Sequence, residues 1–546
     1  MSDLIETMAT KNSNPITGIT LEGFQVFDKP TYIPLDSLTL LFGPNSAGKS
    51  AVQDALELYG QLLNIEKTLQ DATFHVSKNL YGDRSGFFND AIPALVARHW
   101  RRVGVKGDLL VPNMSITVAQ SVDIPIASVV ARELQRELLV EPTQERPHQL
   151  ENRWSFVHDE EDNLDFSFDL FIDSELFVGR GGTGIRVNLL HPIFRNIESK
   201  VDFAKVAMAY PNVVTLEDGH FTISVGIYGF HPSGRGFLEK GDRWLTCDRY
   251  YRAESNQSDA LLYLAVAEIS LLVGCLLGIS NNRDFHPITV QASRTVPTRG
   301  DLTYFELGDS GSVPMQQELP KGDPRYELLV DSLISIENRE LADGVNRALS
   351  DHLFLDQAYR LDFDLRILLS EVNSKAVITG GKIDLGESGH LVELFLRDGK
   401  GRKHLFEDVG SGIGYLLPVL CAVFYPSTFA NPCFIQQPEL HLHPALQAAM
   451  GDVFIEARNA DKQVLIETHS EHLLLRILKR IRQTHLQASI APELKINADD
   501  VCVLYFNPSP DGSTTVKRLR ITEDGEFMDR WPRGFFGERD QELLDE

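Results

Sequence analysis

Two glycines, a lysine and a serine follow an apolar run near the N-terminus at a fixed spacing. The run is Leu38–Phe42, and Gly43, Gly48, Lys49 and Ser50 come after it in the pattern G-x4-G-K-S. Glycines at these positions let the backbone wrap so that its N–H groups point at phosphate oxygens. The lysine then reaches the β- and γ-phosphates, and the serine hydroxyl holds a magnesium ion. The spacing therefore predicts a phosphate-binding loop.

The elements around this loop have the required order. The apolar run predicts a strand, and a helical pattern begins near Ala51. The N-terminal end of that helix adds a positive partial charge to the phosphate site. We therefore expect ATP as ligand and Mg²⁺ as its metal, with Ser50 as a metal ligand. The residues expected to bind the nucleotide here are Asn45, Ser46, Ala47, Gly48, Lys49 and Ser50.

A second group of polar residues lies far downstream, where two more buried strands are predicted. Cys433–Ile435 leads into Gln436 and Gln437, and Val464–Ile466 leads into His469. Parallel strands place their carboxyl ends at one edge of a sheet, which is where such folds bind ligands. The two segments therefore predict further parts of the same site.

A glycine-rich turn precedes both strands in the chain. Gly410, Ser411 and Gly412 open an apolar helical segment, G-I-G-Y-L-L-P-V-L. The N-terminus of a helix offers free N–H groups to an anion. We therefore expect this turn to be able to contact a phosphate.

The order of these motifs resembles that of the ABC, SMC and overcoming-lysogenization-defect ATPases. The resemblance implies an α/β fold, in which a P-loop ATPase head with a mixed sheet and helices is interrupted by a large globular α+β insertion. It also implies a homodimer or higher oligomer formed through the heads. Ser411 and Gly412 would then contact the γ-phosphate in trans, and His469 would sense it in cis. The candidate catalytic residues are Gln437, Glu439 and His469.

Four segments are similar to a narrower group, the ATPases of Septu and retron-associated anti-phage systems. They are V-G-S-G-I-G-Y-L-L-P-V-L, Q-P-E-L-H-L-H-P, the stretch Ser293–Tyr304 and the tail R-W-P-R-G-F-F-G-E-R-D-Q-E-L. This resemblance implies a regulatory ATPase subunit of a bacterial defence complex. Its partners would be a separate HNH-type nuclease and, in retron forms, a reverse transcriptase with its RNA and DNA.

Two glutamines depart from the pattern of this superfamily. The strand after the signature turn usually ends in two acids, which order magnesium and polarise the attacking water. Gln436 and Gln437 stand there instead. An amide can hydrogen-bond a metal-bound water, so Gln436 keeps a predicted place beside the metal, but an amide is no general base. Hydrolysis is therefore expected to be slow or absent unless Glu439 substitutes, and Gln436 could be natural or engineered.

Two other polar pairs allow competing interpretations. His441 and His443 stand two apart, as metal ligands can, but no cysteine or histidine cluster is near, so a structural role is favoured. Glu467 and His469 would share one face of a continuing strand, which permits a catalytic dyad. A solvent-facing polar pair at a strand end is the more common arrangement.

Composition limits the partners. The chain has 546 residues and a formal net charge of −25, which repels a nucleic-acid backbone at long range. Two basic stretches, Arg98–Lys106 and Arg476–Arg482, could still form local patches, although the second has helical spacing typical of a solvated face. Five scattered cysteines without a CxxC pair predict reduced core residues.

The chain is expected to be cytoplasmic. Its first residues lack the basic and apolar parts of a secretory signal. The apolar stretch Ala260–Ile279 includes Glu268, which favours a buried helix over a membrane span. We therefore expect no contact with a membrane.

Three domains are predicted: residues 1–60 as the N-terminal half of the head, 61–400 as the insertion, and 401–546 as the C-terminal half with its tail. The insertion shows no sustained heptads, which argues against a coiled-coil arm. No Toprim-like set of spaced acids follows His469, so a nuclease would be a separate subunit. Arg294 and Arg299 could reach a phosphate, a partner or a surface acid, and Trp531–Phe536 is expected to pack on the head.

Two other functions remain open from the sequence. A DNA repair or recombination ATPase could clamp DNA across its dimer, in which case a basic groove is expected. A scaffold with a vestigial site is the third hypothesis, which Gln436 and Gln437 favour and the intact Gly48-Lys49-Ser50 opposes.

Overall fold

The computed structural model describes most of the head and parts of the segment between its halves. The described residues are 15–75, 95–103, 109–122, 141–142, 148–158, 164–181, 184–188, 194–195, 214–217, 220–226, 237–240, 243–246, 285, 287–294, 329, 332–333, 339–367, 377–379, 382–384, 390–406, 408–409, 411–425 and 432–532.

The described strands are numbered along the chain. They are β1 (Ile16–Glu22), β2 (Thr31–Pro34), β3 (Leu38–Phe42), β4 (Arg102–Val103), β5 (Leu109–Leu110), β6 (Asn113–Val122), β7 (Glu141–Pro142), β8 (His148–His158), β9 (Leu164–Ile172), β10 (Glu175–Gly181), β11 (Gly184–Asn188), β12 (Phe194–Arg195), β13 (Val214–Glu217), β14 (His220–Gly226), β15 (Phe237–Lys240), β16 (Arg243–Thr246), β17 (Ile288–Val290), β18 (Arg360–Ile367), β19 (Val377–Thr379), β20 (Lys382–Asp384), β21 (His390–Arg397), β22 (Lys403–His404), β23 (Cys433–Gln436), β24 (Val464–Glu467), β25 (Val501–Pro508) and β26 (Thr514–Leu519).

Five α-helices are described. They are α1 (Ser50–His75), α2 (Glu340–Arg347), α3 (Ser411–Val423), α4 (Pro444–Asn459) and α5 (Glu471–His485). A π-helical turn, Ala348–Leu353, continues α2, and short 3-10 turns cover Pro492–Leu494 and Ala498–Asp500.

A six-stranded sheet holds the phosphate-binding loop at its centre. Its order is β17-β23-β24-β3-β25-β26, and every neighbouring pair is parallel except β25 with β26. Gln436 lies opposite Glu467 in the register, and Glu467 lies opposite Leu41. The predicted strands at Leu38, Cys433 and Val464 are thus neighbours, and their carboxyl ends meet at one edge.

Both faces of this sheet are buried, which explains the near-continuous apolar runs of its strands. Alternate residues such as Leu40, Ile435 and Ile466 belong to one large core with residues of α2 to α5, while Phe434 and Leu465 are buried on the other face. A mixed sheet covered by helices confirms the predicted α/β fold class.

A second sheet is antiparallel and has nine described strands. Its order is β13-β14-β11-β10-β9-β8-β6-β1-β2. Before the loop, β1 and β2 form an antiparallel pair, and β1 also pairs with β6. The pairing of β1 with β6 crosses the predicted domain boundary at residue 60. The pairing of β17 with β23 crosses the predicted boundary at residue 400.

The remaining described strands form small sheets. One has three strands, in the order β18-β21-β22, and four pairs stand alone: β4-β5, β7-β12, β15-β16 and β19-β20. Leu361 of β18 and Leu396 of β21 belong to the head core, so this sheet packs on the head.

The two basic stretches are largely engaged by the fold. Arg476 and Arg480 on α5 both pair with the Asp452 carboxylate of α4, at 2.6 and 2.7 Å. Arg101 is buried and donates at 3.1 Å to the carbonyl oxygens of Gln25 and Gly512. These three arginines stabilise packing between elements.

The tail begins as predicted, by packing on the head. The Trp531 ring meets Phe42 edge to face, with 5.5 Å between ring centroids. Residues 533–536 lie outside the described residues, as do Arg299 and the buried helix predicted for the apolar stretch 260–279. No helix in the described part of the chain is long and apolar enough for a transmembrane span.

Three cysteines are described, and all are buried and outside any disulfide: Cys421, Cys433 and Cys502. This agrees with the prediction of reduced core cysteines for these three positions. Cys247 and Cys275 lie outside the described residues.

Candidate functional site

The loop between β3 and α1 has a backbone that requires its glycines. Gly43 and Gly48 have φ angles of 142° and 88°. A Cβ atom on Gly48 would lie 2.3 Å from Val26 Cγ2, and one on Gly43 would lie 2.5 Å from the carbonyl oxygen of Phe506. Ser46 also has a positive φ of 63°, which strains a residue with a side chain. The loop conformation is thus fixed by its glycines and by the neighbouring β25.

Lys49 is folded back over this loop. Its Nζ atom donates at 2.9 Å to the carbonyl oxygens of Gly43 and Pro44. It also lies 3.6 Å from Oε1 of Glu467. Burial lowers the pKa of Lys49, and the Glu467 charge opposes that shift. The ammonium group thus lies against the loop backbone and Glu467. It would have to turn away from these partners to reach a phosphate.

Ser50 contacts the same carboxylate. Its Oγ atom donates to Oε2 of Glu467 at 3.1 Å. Glu467 is the last residue of β24, the strand that lies between β23 and β3, and it is 8% exposed. From the sequence, Glu467 is predicted only as a possible dyad partner of His469. Its contacts with Lys49 and Ser50 have one sequence signal, which is the position of Glu467 at the end of an apolar strand.

The Gln436 side chain hydrogen-bonds two groups other than Ser50. Its Nε2 atom donates to Oε1 of Gln53 on α1 at 2.9 Å, and its Oε1 atom accepts from the Ala292 N–H at 3.2 Å. Gln53 in turn donates to Glu57 at 2.8 Å. The Gln436 amide therefore links α1 with the segment after β17, and its predicted place beside the metal stays a prediction.

Gln437 leaves the sheet with a strained backbone. Its φ angle is 45°, in the left-handed region that residues with a Cβ atom seldom adopt. Its N–H donates to the carbonyl oxygen of Glu467 at 2.7 Å. The arrangement turns the chain sharply after β23 while keeping it attached to β24.

Arg294 holds this turn from a third direction. Its guanidinium donates to the carbonyl oxygens of Gln436 and Gln437 at 2.9 and 2.8 Å, and to that of Tyr415 on α3 at 2.9 Å. From the sequence, Arg294 could reach a phosphate, a partner or a surface acid. In the structure it joins the end of β23 to the helix that follows the signature turn.

Glu439 connects the turn after β23 to the end of β24. Its carboxylate accepts from Thr468 Oγ1 at 2.8 Å and from the His469 N–H at 2.7 Å. Burial raises the pKa of Glu439 although these hydrogen bonds oppose the shift. A raised pKa suits a proton acceptor, while the two bonds suit a positioning role. Its predicted catalytic role stays a prediction.

His469 lies half-buried beside the loop. Burial lowers its pKa, and the Lys49 charge lowers it further. Both effects favour the neutral imidazole at neutral pH, which can donate to or accept from a phosphate oxygen. This suits the predicted sensing role, which stays a prediction.

The signature turn packs on the loop that follows β23. A Cβ atom on Gly412 would lie 2.9 Å from the carbonyl oxygen of His441, so glycine permits this close approach. The His441 ring stacks on Tyr415 with 4.4 Å between ring centroids. His443 caps α4 by accepting from the Ala445 N–H at 3.3 Å. Both histidines therefore have contacts that account for them without a metal.

The structure thus gathers the separated motifs at one sheet edge. Lys49 and Ser50 contact the Glu467 carboxylate. The Glu467 carbonyl oxygen accepts from the Gln437 N–H, and the Glu439 carboxylate accepts from the His469 N–H. Ser411 begins α3, whose next residue Gly412 abuts the same loop. The predicted contact of Ser411 and Gly412 with a second protomer stays a prediction.

Comparison with known proteins finds an ATPase family match for part of the chain. Residues 331–474 match the family model described as an AAA ATPase domain. The matched range contains α3, α4, β23 and β24, and so includes Gln436, Glu439, Glu467 and His469. Residues 496–545 match a family described as a protein of unknown function, DUF3696. No curated protein matches the chain significantly.

Similar solved structures are heads of SMC proteins. One is an Smc head bound to the C-winged helix domain of ScpA, with 12% identity, 93% of this chain and 98% of that chain covered, and a TM-score of 0.39. Another is the SMC head domain from Thermotoga maritima, with 9% identity, 93% and 100% covered, and a TM-score of 0.34. A third is an Smc head with an extended coiled coil, bound to the C-terminal domain of ScpA derived from Pyrococcus furiosus, with 11% identity, 97% and 98% covered, and a TM-score of 0.33.

Proposed function

We propose that this chain binds Mg·ATP at the edge of its six-stranded sheet and uses the bound nucleotide to control how protomers pack. The observation that carries the proposal is the loop of Gly43 to Ser50 between β3 and α1, with the side chains of Lys49 and Ser50 directed at Glu467 at the end of β24. The match of residues 331–474 to an AAA ATPase domain supports it.

The residues present fit a switch better than a rapid hydrolase. Gln436 and Gln437 stand where carboxylates are usual, and the Glu439 carboxylate is engaged by Thr468 and the His469 N–H. Without a free general base, the attacking water lacks a proton acceptor. Slow turnover prolongs the ATP-bound state, which then favours one packing of the protomers.

The signature turn gives the switch its route between protomers. In this proposal Gly412 and Ser411 of one head meet the nucleotide of another. Within one protomer, Arg294 ties α3 to the end of β23, so a change at the nucleotide is passed to the helix behind the turn.

The biological setting that we propose is a bacterial anti-phage complex in the cytoplasm. The sequence resemblance to Septu and retron-associated ATPases supports it, and a separate HNH-type nuclease would be the effector. A retron reverse transcriptase with its nucleic acids would join where such a locus is present. A DNA-clamping ATPase is the second hypothesis, and the engagement of Arg101, Arg476 and Arg480 within the fold counts against it.

Calorimetric titration with Mg·ATP, combined with phosphate release and light-scattering mass, tests the proposal. We expect binding, slow release of phosphate, and a larger mass with ATP than without it. Lys49→Ala should lose binding, whereas Lys479→Ala, which removes an exposed lysine of α5, should keep it. If the wild-type chain does not bind ATP, the proposed function is wrong. Hydrolysis stimulated strongly by DNA would instead favour the clamp.

A further inference from the structure

The proposed site lacks the acid that usually helps to hold magnesium. In P-loop ATPases the loop Ser or Thr and an acid on a neighbouring strand share this task. Here β23 ends in the neutral residues Gln436 and Gln437. The Gln436 amide is also occupied by Gln53 and the Ala292 N–H. A metal bound at Ser50 would therefore need its negative charge from another residue.

Glu467 lies where that residue is needed. Its strand, β24, is inserted between β23 and β3, so Glu467 is one strand closer to the loop than Gln436, which lies opposite it. One carboxylate oxygen is 3.1 Å from Ser50 Oγ, and the other is 3.6 Å from Lys49 Nζ. Among the described residues, it is the only acid that hydrogen-bonds Ser50.

We propose that Glu467 supplies the carboxylate that holds magnesium at this site, directly or through a water. The inference rests on the proposed binding of Mg·ATP. Magnesium prefers oxygen ligands, and it usually takes one or two carboxylates together with phosphates and waters. Ser50 and Glu467 provide a hydroxyl and a carboxylate side by side, so these residues fit the ion.

The contacts of Glu467 would change when a nucleotide binds. In the structure Glu467 neutralises Lys49 and accepts a hydrogen bond from Ser50, so this buried carboxylate is paired. When Lys49 turns to a phosphate and Ser50 to the metal, Glu467 loses both partners and faces the cation. ATP without the cation would leave that carboxylate close to the phosphates, so the affinity for ATP depends on magnesium.

A competing role for Glu467 makes the opposite prediction. If the carboxylate only blocked the loop, its removal would strengthen ATP binding both with magnesium and without it. If it holds the metal, its removal abolishes most of the gain in affinity that magnesium gives. The ratio of the Kd in EDTA to the Kd in magnesium therefore separates the two roles without reference to hydrolysis.

The test is calorimetric titration of a non-hydrolysable ATP analogue into the full chain, in EDTA and in excess Mg²⁺. We expect Glu467→Gln to lose at least tenfold of the wild-type ratio while binding in EDTA stays equal or becomes tighter. Glu526→Gln removes the same charge from an exposed residue and should keep the wild-type ratio. A wild-type ratio in Glu467→Gln, or tighter binding in both conditions, overturns the inference.

Two further measurements keep the outcome interpretable. Thermal unfolding and binding in EDTA show whether Glu467→Gln is folded with an intact loop. If it is not, Glu467→Asp replaces it, because the shorter side chain withdraws the oxygens but keeps the charge. That variant should lose part of the magnesium gain, and retention of the whole gain would overturn the inference. Failure of the wild-type chain to bind the analogue would instead reject the proposed function.

Discussion

The Arg294 guanidinium donates a hydrogen bond of 2.8 Å to the carbonyl oxygen of Gln437, the residue at which the chain leaves β23. The same group bonds the carbonyl oxygens of Gln436 and Tyr415. One side chain from the segment after β17 therefore fixes a strained turn and attaches it to α3. Because all three acceptors belong to the main chain, this link does not depend on the identity of the side chains at 436, 437 and 415.

Replacing Arg294 should destabilise the head. Arg294→Met keeps an apolar stem but leaves these three carbonyl oxygens, and that of Gln291, without their donor. A hydrogen bond to a charged group contributes about 1.5–3 kcal/mol, so we expect a loss of at least about 2 kcal/mol in unfolding free energy. The midpoint of denaturant unfolding measures it. Arg339→Met provides the control, because the exposed Arg339–Asp343 pair should contribute less than about 1 kcal/mol. Equal effects of the two variants would contradict the role given to Arg294.

Gly48→Ala should abolish ATP binding by changing the loop. The new Cβ atom would lie 2.3 Å from Val26 Cγ2 and would also suffer from a φ angle of 88°. The backbone must then shift, and the N–H groups no longer converge on the phosphates. Calorimetry with Mg·ATP should show no binding.

Gly512→Ala is the matched control for this variant. Gly512 has a similar φ angle of 78°, but a Cβ atom added there would have no neighbour within 4 Å. The substitution should therefore carry only the conformational cost of a positive φ, about 1–2 kcal/mol, and the variant should still bind ATP. Loss of binding in both variants would show that instability, and not loop geometry, is responsible.

The sequence predicted local elements better than it predicted their partners. The strands at Leu38, Cys433 and Val464 were recognisable because parallel strands buried on both faces are continuous apolar runs. The contacts of Glu467 with the loop were harder to predict. They arise because β24 lies next to β3, and sequence alone does not give the order of strands in a sheet. The bonds of Arg294 were hidden for the same reason, since three of its acceptors are carbonyl oxygens distant in the chain.

The domain boundaries show a related limit. The prediction places residues 1–60 and 61–400 in different domains, and β6 pairs with β1 across that boundary. Pairing between distant strands leaves no local signal beyond alternation, which many partners would satisfy.

Cys502 should resist alkylation in the folded protein. Burial raises the pKa of its thiol to about 12, and the residue has no exposed surface. Since only the thiolate reacts, a thiol with so high a pKa carries very little of the reactive form at pH 8. Mass spectrometry of peptides after iodoacetamide treatment should show no label at Cys502 in native protein and full label in denaturant. The protection should persist at pH 10, and rapid native labelling at pH 8 would show that β25 opens readily.

The two glutamines at the end of β23 should differ in what an acid restores. The resemblance implies that Gln437 would occupy the position that polarises the attacking water, so we expect Gln437→Glu to supply a general base. Such a base contributes about 10²–10⁴-fold to a rate, and we expect phosphate release to rise by about 100-fold. Gln436→Glu should raise it much less, because by the same resemblance residue 436 would order the metal and would not polarise the attacking water.

Phosphate release at saturating Mg·ATP measures both variants, and adding Lys49→Ala to Gln437→Glu should return the rate to background. That control separates hydrolysis in this site from a contaminating ATPase, because it removes the phosphate-binding ammonium group. A large increase with Gln436→Glu and none with Gln437→Glu would contradict this assignment. It would mean that the Gln436 side chain leaves Gln53 and turns toward the nucleotide once ATP is bound.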